Sequence, residues 1–311
     1  MRGFVANTDF DWFTFLRAQE GIDEVNFWQP SKGGGFTAEP GTPFFFRLKS
    51  PYNAIGGFGY VAKYSRLPAW LAWEAFRAKN GAQGYPEMKA RIDKYRRRNS
   101  GSTEARGEGE IGCIMIASPI FFSEDQWVAD LADWQPNIVR GRYQDLMSGE
   151  GLRLFTECME RAARVREDCG SGLLMQEAVR YGEPVPVRPR LGQGTFRIAV
   201  IDAYDRCCSI TGEHSLPVID AAHIMPYADG GVHDVSNGLA LRSDIHRLFD
   251  LGYVTVTPDY RFRVGDALRE DYNNGRSYYR LDGREMALPV DARHLPERQL
   301  LDWHGQAVFK G

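Results

Sequence analysis

The residues richest in chemistry fall between Asp220 and Asp250, in the run D-A-A-H-I-M-P-Y-A-D-G-G-V-H-D-V-S-N-G-L-A-L-R-S-D-I-H-R-L-F-D. His223 offers a neutral imidazole, whose ordinary pKa of about 6.5 suits it to take a proton from water near pH 7. His246 and Asp250 are four residues apart, so on a helix they share a face and can hold one cation together. Asn237, between His223 and His246, has an amide able to lock a loop by hydrogen-bonding backbone near His223. Water activation beside a cation is what hydrolysis of a phosphodiester demands. The base makes the nucleophile, and the ion offsets charge developing on the leaving 3′-oxygen.

These groups need a scaffold, and their neighbours supply one. Pro217–Ala222 reads as a short strand that delivers His223 at its end, and Pro226 with Gly230-Gly231 then forces a loop. Gly238–Leu241 can pair back as a second strand, and Ser243 is placed to N-cap a helix carrying His246 and Asp250. Strand, loop, strand and helix make a ββα unit closed around one metal ion. His233, in the loop, is open between stabilising the turn and touching metal or phosphate. Arg242 and Arg247 flank the helix and are placed either to grip phosphates or to stand as solvated surface charge. His304, beside Trp303 near the end of the chain, reads as structural.

The stretch resembles the HNH (ββα-metal) endonucleases, in the branch reading C-x-I-T-G, A-A-H-I-x-P, N-G-L-x-L and H-x-L-F-D. Here these are Cys208–Gly212, Ala221–Pro226, Asn237–Leu241 and His246–Asp250, with the family's nine-residue step from Asn237 to His246. The resemblance implies His223 as general base, Asn237 as the structural asparagine, His246 as metal ligand and Asp250 as a further ligand. It implies one divalent metal ion per site, Mg²⁺ or Mn²⁺ ahead of other transition metals. One departure stands out. Many members carry Asp or His directly before the base, and this chain has Ala222. Asp220, two residues back and on the same side of a strand, is expected to fill that gap, directly or through a water.

The segment before position 150 is rich in aromatics and in short runs bounded by Gly, Pro or Asn. Gly3–Asn7 reads as an edge strand, Asp9–Gln19 as a helix with Thr8 or Asp9 at its N-cap, and four longer apolar runs as strands over Glu24–Gln29, Pro43–Lys49, Ile55–Tyr64 and Ile111–Pro119. Gly56, Gly57 and Gly59 inside one run suggest a bend or a close backbone approach. Trp70, Trp73 and Phe76 are spaced as a helix face, and helices are expected over Pro86–Arg98, Leu152–Val165 and Gly172–Tyr181. The pattern resembles the PUA-like superfamily of EVE, ASCH and SRA-type readers. It is carried by Val5-Ala6-Asn7-Thr8-Asp9 with Trp12, by Asn26-Phe27-Trp28-Gln29-Pro30, by Pro40-Gly41 before F-F-F-R-L-K, and by I-G-G-F-G-Y-V. That resemblance implies a small β-barrel with helices in which Trp28, Asn26 and Gln29 line a pocket for a base flipped out of the duplex.

Composition narrows the classes. The chain has 311 residues, room for two cores, and a formal net charge of −3, so any attraction to DNA must be local. Its five cysteines form no C-x-x-C pair, which argues against a zinc knuckle and fits a reducing, cytoplasmic setting. No apolar run approaches the ~20 residues that cross a bilayer, and no G-x-x-x-x-G-K-[ST] supports ATP-driven translocation. The expected organisation is a recognition domain over 1–150, a helical and proline-rich linker over 151–190, and a nuclease domain over 191–311. The fold class is α+β. The expected activity is modification-dependent restriction of double-stranded DNA, reading 5-methyl- or 5-hydroxymethylcytosine and working as a homodimer. Two alternatives stay open: an HNH nuclease without modification preference, such as a toxin or nicking enzyme, and a binding protein with an inactive HNH fold.

Overall fold

A computed structural model describes residues 1–30, 36–99, 109–169 and 191–311, without the side chains of 98, 99 and 166–169. The helix expected over 172–181 and most of the proline-rich connector lie outside those residues. The described chain forms two compact units, Met1–Gly192 and Gln193–Gly311.

The first unit is built on one sheet because its apolar runs have strand length. Its strands are β1 (Arg2–Thr8), β2 (Glu24–Gln29), β3 (Pro43–Leu48), β4 (Ala54–Pro68), β5 (Glu110–Phe121), β6 (Val128–Ala129) and β7 (Gly141–Asp145). Helices α1 (Phe10–Arg17), α2 (Ala69–Phe76), α3 (Tyr85–Asn99) and α4 (Gly149–Cys169) complete it. The strands run in the order β2-β5-β4-β3-β1-β7, with β6 beside β4. In β3, Phe44 and Phe46 enter one core and Phe45 the other, so this run is buried throughout. Trp12, Phe13 and Leu16 of α1 close the first core, while Leu154, Cys158 and Ala162 of α4 close the second. Residues 149–169 thus belong with the first unit rather than with a linker.

Three expectations change in this unit. Gly3–Asn7 is not at an edge, because β7 pairs with β1 on the side away from β3. The described pairings run from β2 to β7 without meeting, so a closed barrel is not shown. In α2 the buried side chains are Ala69, Leu71, Ala72 and Phe76, and Trp70 and Trp73 are only partly covered. The glycines of β4 do mark close approach: a Cβ on Gly57 would lie 2.1 Å from the Ile120 carbonyl oxygen, and one on Gly59 would lie 2.5 Å from the Ile116 side chain. Register shifts flank Tyr60 and Val61, which bend the strand as bulges do.

The second unit runs α5 (Gln193–Ala203), β8 (Ile219–His223), β9 (Gly238–Arg242), α6 (Ser243–Asp250), β10 (Val254–Val256), β11 (Phe262–Val264), α7 (Ala267–Tyr272), α8 (Arg276–Tyr279) and α9 (Arg298–Ala307). Strands β8 and β9 pair antiparallel with His223 opposite Gly238 and Asp220 opposite Leu241. Ser243 is the first helical residue rather than the cap; Arg242 holds the cap position, without a side-chain capping bond. His304 has the structural role its position suggested. It is buried, shares a 2.9 Å hydrogen bond with the Thr255 hydroxyl and stacks on Phe249 with centroids 3.7 Å apart, tying α9 to α6.

Candidate active site

The loop between β8 and β9 sets the position of His223, and Asn237 closes that loop. Asn237 is fully buried. Its Oδ1 accepts from the Met225 N–H at 2.9 Å, and its Nδ2 donates to the carbonyls of Met225 and Val232, each at 2.9 Å. One amide thus satisfies three backbone groups across a turn that has no ladder to satisfy them. Gly230 sits at φ +93°, and a Cβ on Gly231 would come within 1.9 Å of the Met225 oxygen and 2.9 Å of Asn237 Nδ2. Gly230 is therefore required by the left-handed turn of the backbone, and Gly231 by the close packing of this loop around Asn237.

His223 ends β8 with its ring lying flat on Phe196 of α5, centroids 3.9 Å apart and 13° from parallel. Gly238 makes room for that platform, since a Cβ there would lie 2.3 Å from Val200 and 3.1 Å from Phe196. Its Nε2 is 2.9 Å from Nδ1 of His233, whose own ring stacks on Tyr227. Burial first, then the neighbouring His233 and His246, push the His223 pKa down to about 4. At neutral pH it is an uncharged imidazole with a lone pair to offer.

Helix α6 brings His246 beside Asp220 and Asp250. His246 Nδ1 is 3.7 Å from Asp220 Oδ2, and His246 Nε2 is 3.3 Å from Asp250 Oδ2. The other oxygen of Asp220 accepts from Arg197 at 3.1 Å. The adjacent His246 and the charge of Arg197 hold the Asp220 carboxyl below its ordinary range, so it is ionised at neutral pH. One imidazole and two carboxylates are the right donors for a divalent cation of the magnesium or manganese kind. The two ring nitrogens of His246, however, face opposite carboxylates. A cation on one of them is shared with Asp220 or with Asp250, not with both. Among the described residues, no three His, Cys, Asp or Glu side chains already surround a common point.

The residues expected to touch DNA separate. Trp28 and Gln29 line a cavity of about 290 Å³ in the first unit, together with Trp12, Tyr95, Asp9 and Lys49. The Trp28 indole N–H donates to the Asn80 carbonyl at 3.0 Å, which fixes its plane against the edge of Tyr95. Asp9 holds the N-cap position of α1 but makes no capping bond; its carboxylate accepts from Lys49 and from the Tyr95 hydroxyl on the cavity wall. Asn26 is not in the cavity. It is fully buried and donates to Asn80 Oδ1 at 2.8 Å and to the Cys113 sulfur at 3.4 Å, bracing the sheet. In the second unit Arg242 forks onto Asp244 at 2.6 and 2.8 Å, while Arg247 is exposed on α6 and lines a groove with Leu251 and Tyr272.

Sequence reasoning missed Phe196 and Arg197, which lie outside every motif and reach the site from α5. It also left His233 open, and its bond to His223 depends on how the loop closes. The C-x-I-T-G run proves to be a knuckle under β9: Cys208 is buried, its sulfur accepts from the Arg242 N–H, and Gly212 turns at φ +74°.

Residues 208–257 match a family model described as HNH endonuclease, so the chain carries an HNH endonuclease domain and is an enzyme of the DNA-cleaving kind. No curated protein matches the chain. Among solved structures, one titled "Modification dependent TagI restriction endonuclease" aligns over 92% of this chain and 75% of that one, at 13% identity and a TM-score of 0.26. A likeness that low carries no argument about fold or activity.

Proposed function

We propose that this chain is a metal-dependent restriction endonuclease whose second unit hydrolyses DNA phosphodiesters and whose first unit admits a flipped, modified cytosine. The observation that carries the reading is the meeting, at one end of the β8–β9–α6 unit, of an uncharged histidine with an ionised aspartate and a second histidine. His223 takes the proton of the attacking water. His246 and Asp220 would hold the cation, and Asp250 would accept from His246 Nε2–H and fix its ring, as carboxylates behind metal-binding histidines do. When bound, the cation supplies charge to offset the phosphorane and the leaving oxygen. Asp220 then does from two residues back what the residue before the base does elsewhere, and Ala222 is fully buried.

For the first unit, the cavity beside Trp28 supports base reading. About 290 Å³ lies at the small end of ligand sites, which run from about 300 to 1,000 Å³, and suits one base better than a larger ligand. Trp28 offers a fixed aromatic face, and Asp9 and Gln29 offer hydrogen-bonding groups for a base edge. The chain acts as a homodimer in this reading, since one site per chain cuts one strand.

The test is cleavage of unmodified, 5-methylated and 5-hydroxymethylated DNA by the protein and by His223→Ala, with Mg²⁺, Mn²⁺ or EDTA. Cutting of modified DNA only, lost with EDTA and with His223→Ala, is expected. Equal cutting of every substrate would sink modification dependence. No cutting under any condition would sink the nuclease.

A further inference from the structure

The contact between His223 and His233 has a direction, and the chemistry of the site fixes it. A neutral imidazole has one N–H and one lone pair. The 2.9 Å contact from His223 Nε2 to His233 Nδ1 contains one proton, on one nitrogen or the other. With the proton on His233 Nδ1, His223 accepts at Nε2, carries its own proton at Nδ1, and has no lone pair for water. With the proton on His223 Nε2, its Nδ1 is bare. A base at this position needs the second arrangement.

We propose that His233 is the positioning residue of this site: it selects the Nε2–H tautomer of His223 and takes over that proton when Nδ1 receives one from water. The inference rests on the reading of His223 as the base. The step balances without any further reactant. The water O–H bond breaks, its proton joins His223 Nδ1, and its electron pair forms the new bond to phosphorus while the P–O3′ bond breaks and its pair leaves on the 3′-oxygen. The Nε2–H bond of His223 breaks and its proton joins His233 Nδ1, making His233 the imidazolium.

The surroundings suit that division of labour. Among the described residues no carboxylate bonds either ring, so His233 stands where a carboxylate stands in other base–orienter pairs. Asp234, its neighbour, is turned to the Ser236 N–H and hydroxyl. Asp220 is shared between Arg197 and His246. The other titratable groups facing the pair are His246, from α6, and Tyr227, which stacks on His233 with centroids 5.5 Å apart. His233 is held from behind as well, because Asn237 grips the carbonyl of Val232. Its half-exposed ring gives the proton a way out to solvent.

The experiment combines ring-nitrogen NMR on the full chain with the pH profile of cleavage. The six histidines are few enough to assign by substitution. Wild type should show His223 protonated at Nε2 and bare at Nδ1, a form that His233→Ala loses. His233→Ala should lower kcat on the order of 100-fold, the scale of general-base catalysis, with KM unchanged. It should also move the acid limb of kcat/KM to higher pH, because a neighbouring ring that lowers the His223 pKa is gone. His233→Asn, whose Oδ1 can accept from Nε2–H, should restore the tautomer and at least a tenth of the activity. A wild-type spectrum with His223 protonated at Nδ1 would overturn the proposal, as would wild-type kcat and pH profile in both variants. An Nε2–H spectrum in a protein that cuts no DNA would uphold the pairing and reject the nuclease reading instead, which separates the two failures.

Discussion

Replacing Asn237 with alanine is the most telling perturbation of the scaffold, because one side chain satisfies three backbone groups of the β8–β9 loop. Each net hydrogen bond contributes about 1 kcal/mol, and each backbone group left buried without a partner costs about 1–3 kcal/mol. Met225 is only partly buried, so water can reach some of what is released. The expected loss for Asn237→Ala is therefore about 3 kcal/mol in the second unit. Asn237→Asp is the sharper variant. It has the same shape and keeps the acceptor for the Met225 N–H, but it turns an oxygen toward two carbonyls in place of the amide donor. Burial and those carbonyls raise its folded pKa above the unfolded value of about 3.9. The folded state then binds the extra proton, so the variant should regain stability as pH falls through that raised pKa. Urea unfolding followed by hydrogen exchange over 219–250 reads the second unit apart from the first, as a chain with two units requires. Asn237→Ala within about 0.5 kcal/mol of wild type, or Asn237→Asp as stable as wild type at pH 7, would refute the reasoning.

Three further outcomes are expected. Asp220→Asn should abolish metal-supported cleavage, while Asp250→Asn should lower it only about 10–100-fold, the effect of removing a carboxylate behind a ligand; the reverse order in cleavage titrated with Mn²⁺ would move the cation to the other side of His246. Trp28→Ala should weaken binding of modified DNA by about 1–3 kcal/mol, the value of one base stacked on an aromatic ring, and leave unmodified DNA unaffected in a gel-shift assay. His304 is pushed down to about 4, chiefly by burial, so its neutral form stabilises the fold above its unfolded pKa of about 6.5 and that stability is lost as pH falls toward 4. The second unit should lose about 2 kcal/mol between pH 6.5 and pH 5 from this group, and His304→Gln should flatten that slope in pH-dependent urea unfolding.

How much of this was legible beforehand depends on how far apart in sequence the partners lie. The β8–loop–β9–α6 unit could be read because its parts fall within one short stretch, and each leaves a local mark: prolines and glycines at the loop, alternation in the strands, four-residue spacing on the helix. The first unit kept less on the surface of its sequence. The polar run Gly141–Asp145 carries no hydrophobic alternation, yet it pairs with β1 across the whole unit, so an apparent edge strand became an interior one. The cavity wall draws on Asp9, Trp28, Lys49 and Tyr95, four positions far apart in the chain, and nothing local to any of them announces the others. Asn26 shows the cost of judging by adjacency. It lies two residues from Trp28 on the same strand, hence on the same face, but the chain at Asn80 returns over it and takes its amide as a strut. His233 is the opposite case. Its spacing from His223 was visible, but the bond between them exists only because Asn237 and the glycine pair fold the loop back, so the residue left open by sequence became the one whose proton determines whether His223 can act as a base.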